Sequence, residues 1–326
     1  MKCSAVEPRC GRRRAGIGAL LVTAAVLTGC TGAPGRESQA IDIERRIAAM
    51  PGVSDVDLVY DNGILEGTRF ELRVSLEQAS IEQIGAVAAE IDATRGDDFA
   101  DYDQRIELDV ADRVSINAST ALPDGTAAVA TLLRELDSRA TAQSINWRAT
   151  SEGATRIEIR DASATAAIVD TVLQVFANRP LDQIEVNPAP GPGEEAAWWI
   201  RTRLSTEDKR AVDAQLAAAA PATARLIVIR EGRIVQMNVD VPSPETAYAD
   251  IVGVIHALGA GRQRPLQLLW SWADDPARYG DLRWSGSVDI GDCDDPTANT
   301  GSADDLLPAA RQLQQRIRDH YGPCPK

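Results

Sequence analysis

Helix-like stripes of apolar residues recur about every 40 residues along this chain, with two short strand-like segments between successive stripes. Ile43, Ile47 and Met50 form the first stripe, and Ile81, Ile84, Val87, Ala88 and Ile91 the second. Val129, Leu132, Leu133 and Leu136 form the third, and further stripes centre near residues 170, 212 and 251. Between them the period drops from about 3.6 to 2, as in Phe70, Leu72, Val74 and Leu76 alternating with polar or charged neighbours. The spacing predicts an internal repeat of one helix plus two strands, carried by pattern and not by residue identity.

Grouped from residue 112 onward, the elements run strand, helix, strand, strand, helix, strand, and the same order begins again after 189–194. That order is expected for an α+β chain of tandem ferredoxin-like (βαββαβ) modules, with antiparallel sheets and helices on one face. The expected organisation is a partial module at 41–111, a full module at 112–188, and a breaker-rich linker at 189–194 containing Pro190, Gly191, Pro192 and Gly193. A second full module follows at 195–273, with Ser205 or Thr206 capping its first helix. A strand and helix at 274–326 remain, and could complete a further module or cover a sheet edge.

Composition limits the partners. Among 326 residues, 34 are Lys or Arg and 48 are Asp or Glu, a formal charge of −14. Nucleic-acid surfaces need a basic patch that displaces counterions, so DNA and RNA are not expected partners. The 44% hydrophobic content supports a large core and excludes disorder as the dominant state.

The N-terminus has Arg9 and Arg12 to Arg14, then an apolar run from Ala15 to Leu27, then Thr28, Gly29 and Cys30. This is the layout of a signal peptide, and the apolar run falls short of the roughly 20 residues of a spanning helix. Leu27-Thr28-Gly29-Cys30 resembles the lipobox of bacterial lipoproteins. The resemblance implies removal of 1–29, acylation of Cys30, a lipidated tether at 30–40, and residence on the extracytoplasmic face of the cell membrane. Loss of Lys2, four arginines and Glu7 leaves 29 basic and 47 acidic groups, a charge near −18. Such a body is repelled by an anionic bilayer, so the acyl chains must anchor it. Only Cys293 and Cys324 then remain as thiols, and an even pair in an oxidising compartment is expected to form a disulfide. A second likeness is narrower. The segment 43–76, with Pro51-Gly52-Val53, Val56 and Asn62-Gly63, resembles the small envelope domains called BON, which implies phospholipid or envelope-polymer binding.

Residues for chemistry are sparse. His256 and His320 are the only imidazoles, the first within an apolar helix stripe and the second at a helix end. No nucleophile-elbow, metalloprotease or phosphate-loop motif is present, so no catalytic residue, metal site or cofactor is assigned. The acidic runs Asp97, Asp98, Asp101, Asp103 and Asp289, Asp292, Asp294, Asp295 lack the spacing of a calcium loop and read as solvated loops. Five of the six tryptophans follow residue 195. Trp198 and Trp199 are adjacent, so on a strand they point to opposite faces, and they are the candidate ligand platform. The expected function is a lipid-anchored envelope protein that binds a protein, wall polymer or lipid and is not an enzyme. A solute-binding lipoprotein of a transporter and a carboxylate-dependent envelope hydrolase are the alternatives.

Overall fold

The computed structural model describes residues 35–63, 67–119, 121–150, 153–190, 195–219, 223–272, 286–291 and 308–321. The first repeat is α1 (Glu37–Ala48), β1 (Asp55–Gly63) and β2 (Gly67–Ser75). The second is α2 (Ile81–Arg95), β3 (Asp103–Ala111) and β4 (Val114–Ala118), and the third is α3 (Thr126–Arg139), β5 (Ser144–Ala149) and β6 (Thr155–Ala162). Then come α4 (Thr165–Val175), β7 (Gln183–Pro188) and β8 (Ala197–Ile200), followed by α5 (Thr206–Ala218), β9 (Thr223–Arg230) and β10 (Arg233–Val241). The last repeat is α6 (Ala247–Leu258), β11 (Leu266–Trp272) and β12 (Gly286–Ile290), after which α7 (Pro308–Tyr321) stands alone.

The described strands form one twelve-stranded sheet in strict chain order, β1 to β12. Strands within a repeat pair antiparallel as hairpins, and strands joined through a helix pair parallel. This corrects the tandem ferredoxin-like expectation. A ferredoxin-like module closes a small antiparallel sheet by inserting strands out of chain order, whereas here every strand pairs with its sequence neighbour in a mixed sheet. The natural unit is therefore αββ, starting with a helix, which is why the first repeat needs no opening strand. Pairing also continues where modules were expected to part: β3 with β4, β7 with β8 across 189–194, and β11 with β12.

Each helix packs beside the next, from α1 on α2 to α6 on α7, and together they cover one face of the sheet. The covered face is apolar. One row in register runs Val74, Leu108, Ile116, Trp147, Ile157 and Ile184, none more than 3% exposed. Burial of each such side chain contributes roughly 1.5–3 kcal/mol, which drives the helix layer onto the sheet.

Local chemistry sets the element ends. Ser80 and Gln83 form a reciprocal capping box on α2, and Ser205 and Asp208 do the same on α5, placing that cap at Ser205. Glu231 and Gly232 both adopt positive φ, 51° and 69°, giving a two-residue hairpin turn whose twist matches the strands it joins. Register shifts in β3, β6 and β10 add local twist, which a wide open sheet requires.

Arginines tie neighbouring repeats together. Arg134 of α3 donates to the carbonyls of Leu76, Glu77, Ala79 and Val110, all in the preceding two repeats. Arg113 spans the next boundary, donating to the carbonyls of Asp137, Ala140 and Ala142 and pairing with Asp137. Among the described residues no helix is long and apolar enough to cross a membrane.

Candidate functional site

Alternation places every second strand residue on the face the helices leave open. On that face a single row crosses all twelve strands in register, from Asp55 on β1 through Asp109, Ser115, Glu185 and Trp199 to Asp289 on β12. Hydrogen-bonded strands lie about 4.8 Å apart, so long polar side chains on this row and its neighbours reach across strands.

They pair as ion pairs. Arg73 meets Asp109 at 2.7 Å, and the hydrogen bond and charge of that carboxylate hold the guanidinium above its ordinary pKa. Glu185 receives Arg201 at 2.7 Å and also Arg156, and Glu158 receives Arg160 at 2.7 Å. Farther along, Asp240 accepts from Arg225 at 2.6 Å and from the Ser271 hydroxyl at 2.6 Å. Asp109 and Glu185 are buried, 9% and 6% exposed, so these contacts are needed to offset their desolvation.

Between the charged segments lies an uncharged chain on β4 and β5. Asn117 Nδ2 donates to Ser115 Oγ at 2.9 Å, Ser115 donates to Asn146 Oδ1 at 2.7 Å, and Asn146 Nδ2 donates to Ser144 Oγ at 3.3 Å. Ser115 gives its one hydroxyl proton to Asn146, and Asn117 turns its amide N–H toward Ser115. Asn117 Oδ1 is buried and accepts no hydrogen bond. In register beside Asn117 stands Arg148, exposed and outside the ion-pair ladder.

The tryptophans divide as adjacency demands. Trp198 is 3% exposed on the covered face, beneath the Lys209 ammonium at 4.6 Å from its ring. Lys209 is itself 1% exposed and bonds both Asp213 oxygens at 2.7 and 2.8 Å, with Asp170 at 3.5 Å. Trp198 is thus core, and only Trp199 serves an open face. Its indole N–H donates to Asn187 Oδ1 at 3.2 Å, and the Arg201 guanidinium sits 5.0 Å from its ring.

Other sequence candidates separate. Asp98 pairs with Arg36, and Asp103 lies on β3 opposite Arg69. His256 is exposed and hydrogen-bonds the Tyr321 hydroxyl at 2.9 Å, joining α6 to α7. Cys30, Cys293, Cys324, Trp284, Asp292, Asp294 and Asp295 lie outside the described residues.

Three concavities stand out. A groove of about 440 Å³ lies between α4 and α5, lined by apolar residues including Leu173, Phe176, Leu181 and Leu204. Two depressions of about 270 and 240 Å³ lie on the open face and share Glu71 and Arg105. Residues such as Asn117 and Arg148 were not singled out by sequence reading. Their period-2 placement was visible, but their company depends on which strands are neighbours. No protein-family model, curated protein or solved structure matches the chain.

Proposed function

We propose that this is a lipid-anchored protein of the bacterial cell envelope that acts by binding, through the open face of its sheet, rather than by catalysis. The observation that carries this reading is the in-register row across twelve strands, polar on ten of them and interrupted by Trp199 and Val228, with the helices packed against the other face. A broad surface of fixed, mutually paired donors and acceptors is suited to an extended partner, since the groups are ordered before binding. Acylation of Cys30 would hold this acidic body at the membrane, and a bond between Cys293 and Cys324 would tie its C-terminal region.

Three measurements test the reading. Intact mass and membrane partitioning of the chain made in a lipidating bacterium should show loss of 1–29 and added acyl chains, both absent in Cys30→Ala. The same mass taken before and after reduction and thiol labelling should show Cys293 and Cys324 blocked until reduced. On purified envelope fractions, Trp199→Ala combined with Arg201→Ala should reduce retention at least about fivefold. Arg210→Ala, on the exposed side of α5, should leave it unchanged. An unacylated full-length product would end the anchoring claim, and equal retention of both variants would end the open-face claim.

A further inference from the structure

The two open-face depressions form one trough over β1 to β5, because Glu71 and Arg105 line both. The larger is walled by Glu71, Asp103, Arg105, Asn117, Ser119 and Arg148. Charges of both signs line it, and its one apolar wall residue is Ala118, so it offers no pocket for a hydrophobic group. Its floor holds Asn117, 6% exposed, whose Oδ1 is buried without a donor. A buried unpaired acceptor is costly, and the Asn117 amide is held from its other side by the bond its Nδ2 gives Ser115. Beside it Arg148 brings a forked guanidinium shaped for a carboxylate.

The geometry points to a glycan chain bearing isolated carboxylates as the ligand of this trough. One carboxylate would take the Arg148 fork, and a hydroxyl or amide N–H a few atoms away would donate to Asn117 Oδ1. Ring hydroxyls, which both donate and accept, match Glu71, Asp103, Arg105 and Ser119 together. A densely charged polyanion matches poorly, because its closely spaced charges would face Glu71 and Asp103 as well as Arg148, and the whole chain carries −14. A peptide matches less well, because Val59, at the β1 end, is the one large apolar side chain that the trough's lining exposes. The identification rests on the open face being the binding surface, and it names what that face takes.

Hyaluronan tetrasaccharide, with alternating carboxylate and N-acetyl units, is a suitable probe, titrated calorimetrically into the full chain in detergent. Chitotetraose supplies the N-acetyl units without carboxylate, and an N-acetylated dipeptide supplies a carboxylate without sugar. Hyaluronan tetrasaccharide is expected to bind at least about tenfold more tightly than chitotetraose. Arg148→Gln should erase that difference, and Arg210→Ala should preserve it. Asn117→Ala should weaken binding about fivefold or more and, through loss of the bond its Nδ2 gives Ser115, lower the unfolding midpoint only modestly, with binding read on folded protein well below that midpoint. A residue kept for folding would do the reverse. No hyaluronan binding by folded protein, equal binding of chitotetraose, or preference for the dipeptide would each overturn the assignment. Any of these results leaves anchoring through Cys30 and the envelope-fraction test standing or falling on their own.

Discussion

At the residue scale, close approaches set what each position tolerates. Gly286 on β12 faces Trp270 in register, and an added Cβ would meet the Trp270 ring at 2.3 Å. Gly286→Ala should therefore destabilise the protein by at least about 2 kcal/mol, read from the denaturant midpoint, since the tryptophan is fully buried and cannot yield. Tyr102 packs against Phe99 and shares a 3.0 Å hydrogen bond with the Tyr60 hydroxyl. Burial first, and that bond second, push its pKa up to about 12 from 10.0. A raised folded-state pKa contributes stability that is intact below the unfolded value and lost as pH rises through the folded one. Stability should thus fall between about pH 10 and 12, and Tyr102→Phe should flatten that limb; an identical alkaline limb in the variant would refute the assignment. The sequence reading separated Trp198 from Trp199 correctly by alternation alone. It could not see that Lys209, one of three lysines, would be buried over Trp198.

At the scale of elements, helix and strand identities were legible because each follows from local periodicity and local caps. β4 and β11 occupy the expected residues, and the expected helix centres near 170 and 212 fall within α4 and α5. What joins the elements was not legible, because the contacts are between residues far apart in sequence. Arg134 is the clearest case, reaching carbonyls 24 to 58 residues away. Arg134→Ala should cost about 2–4 kcal/mol by leaving those carbonyls without their charged donor. Arg134→Lys should recover less than half, since one ammonium cannot replace a fork. Hydrogen exchange should quicken first around residues 76–80, and uniform quickening over the whole chain would argue against a local tie.

At the scale of the molecule, strand order in chain order means that each repeat touches chiefly its neighbours. Stability is then close to a sum of repeat and nearest-neighbour terms, with the two ends held from one side only. Amide exchange should be slowest in β4 to β9 and faster in β1 and β12, and equal protection of β1 and β6 would contradict this picture. The outer edge of β1 carries Asp55, Asp57 and Asp61, charges that oppose pairing with another sheet edge. The open face follows from the same order. With the helices on one side, the polar alternation of twelve strands is gathered into one surface, which no single repeat possesses.

The sequence by itself determined the unit: one helix and two strands about every 40 residues, an apolar stripe on each helix, and strands with one apolar face. It also carried the lipobox-like segment Leu27-Thr28-Gly29-Cys30 and the negative charge, both readable without a fold. Only the tertiary structure decided that the units join edge to edge into a single mixed sheet and do not close as separate antiparallel modules. The reason is physical. An αββ period is compatible with both groupings, because local periodicity specifies which face of a strand is buried and leaves open which strand lies beside it. That choice brought Asn117 and Arg148 together and put Trp199 on the same surface.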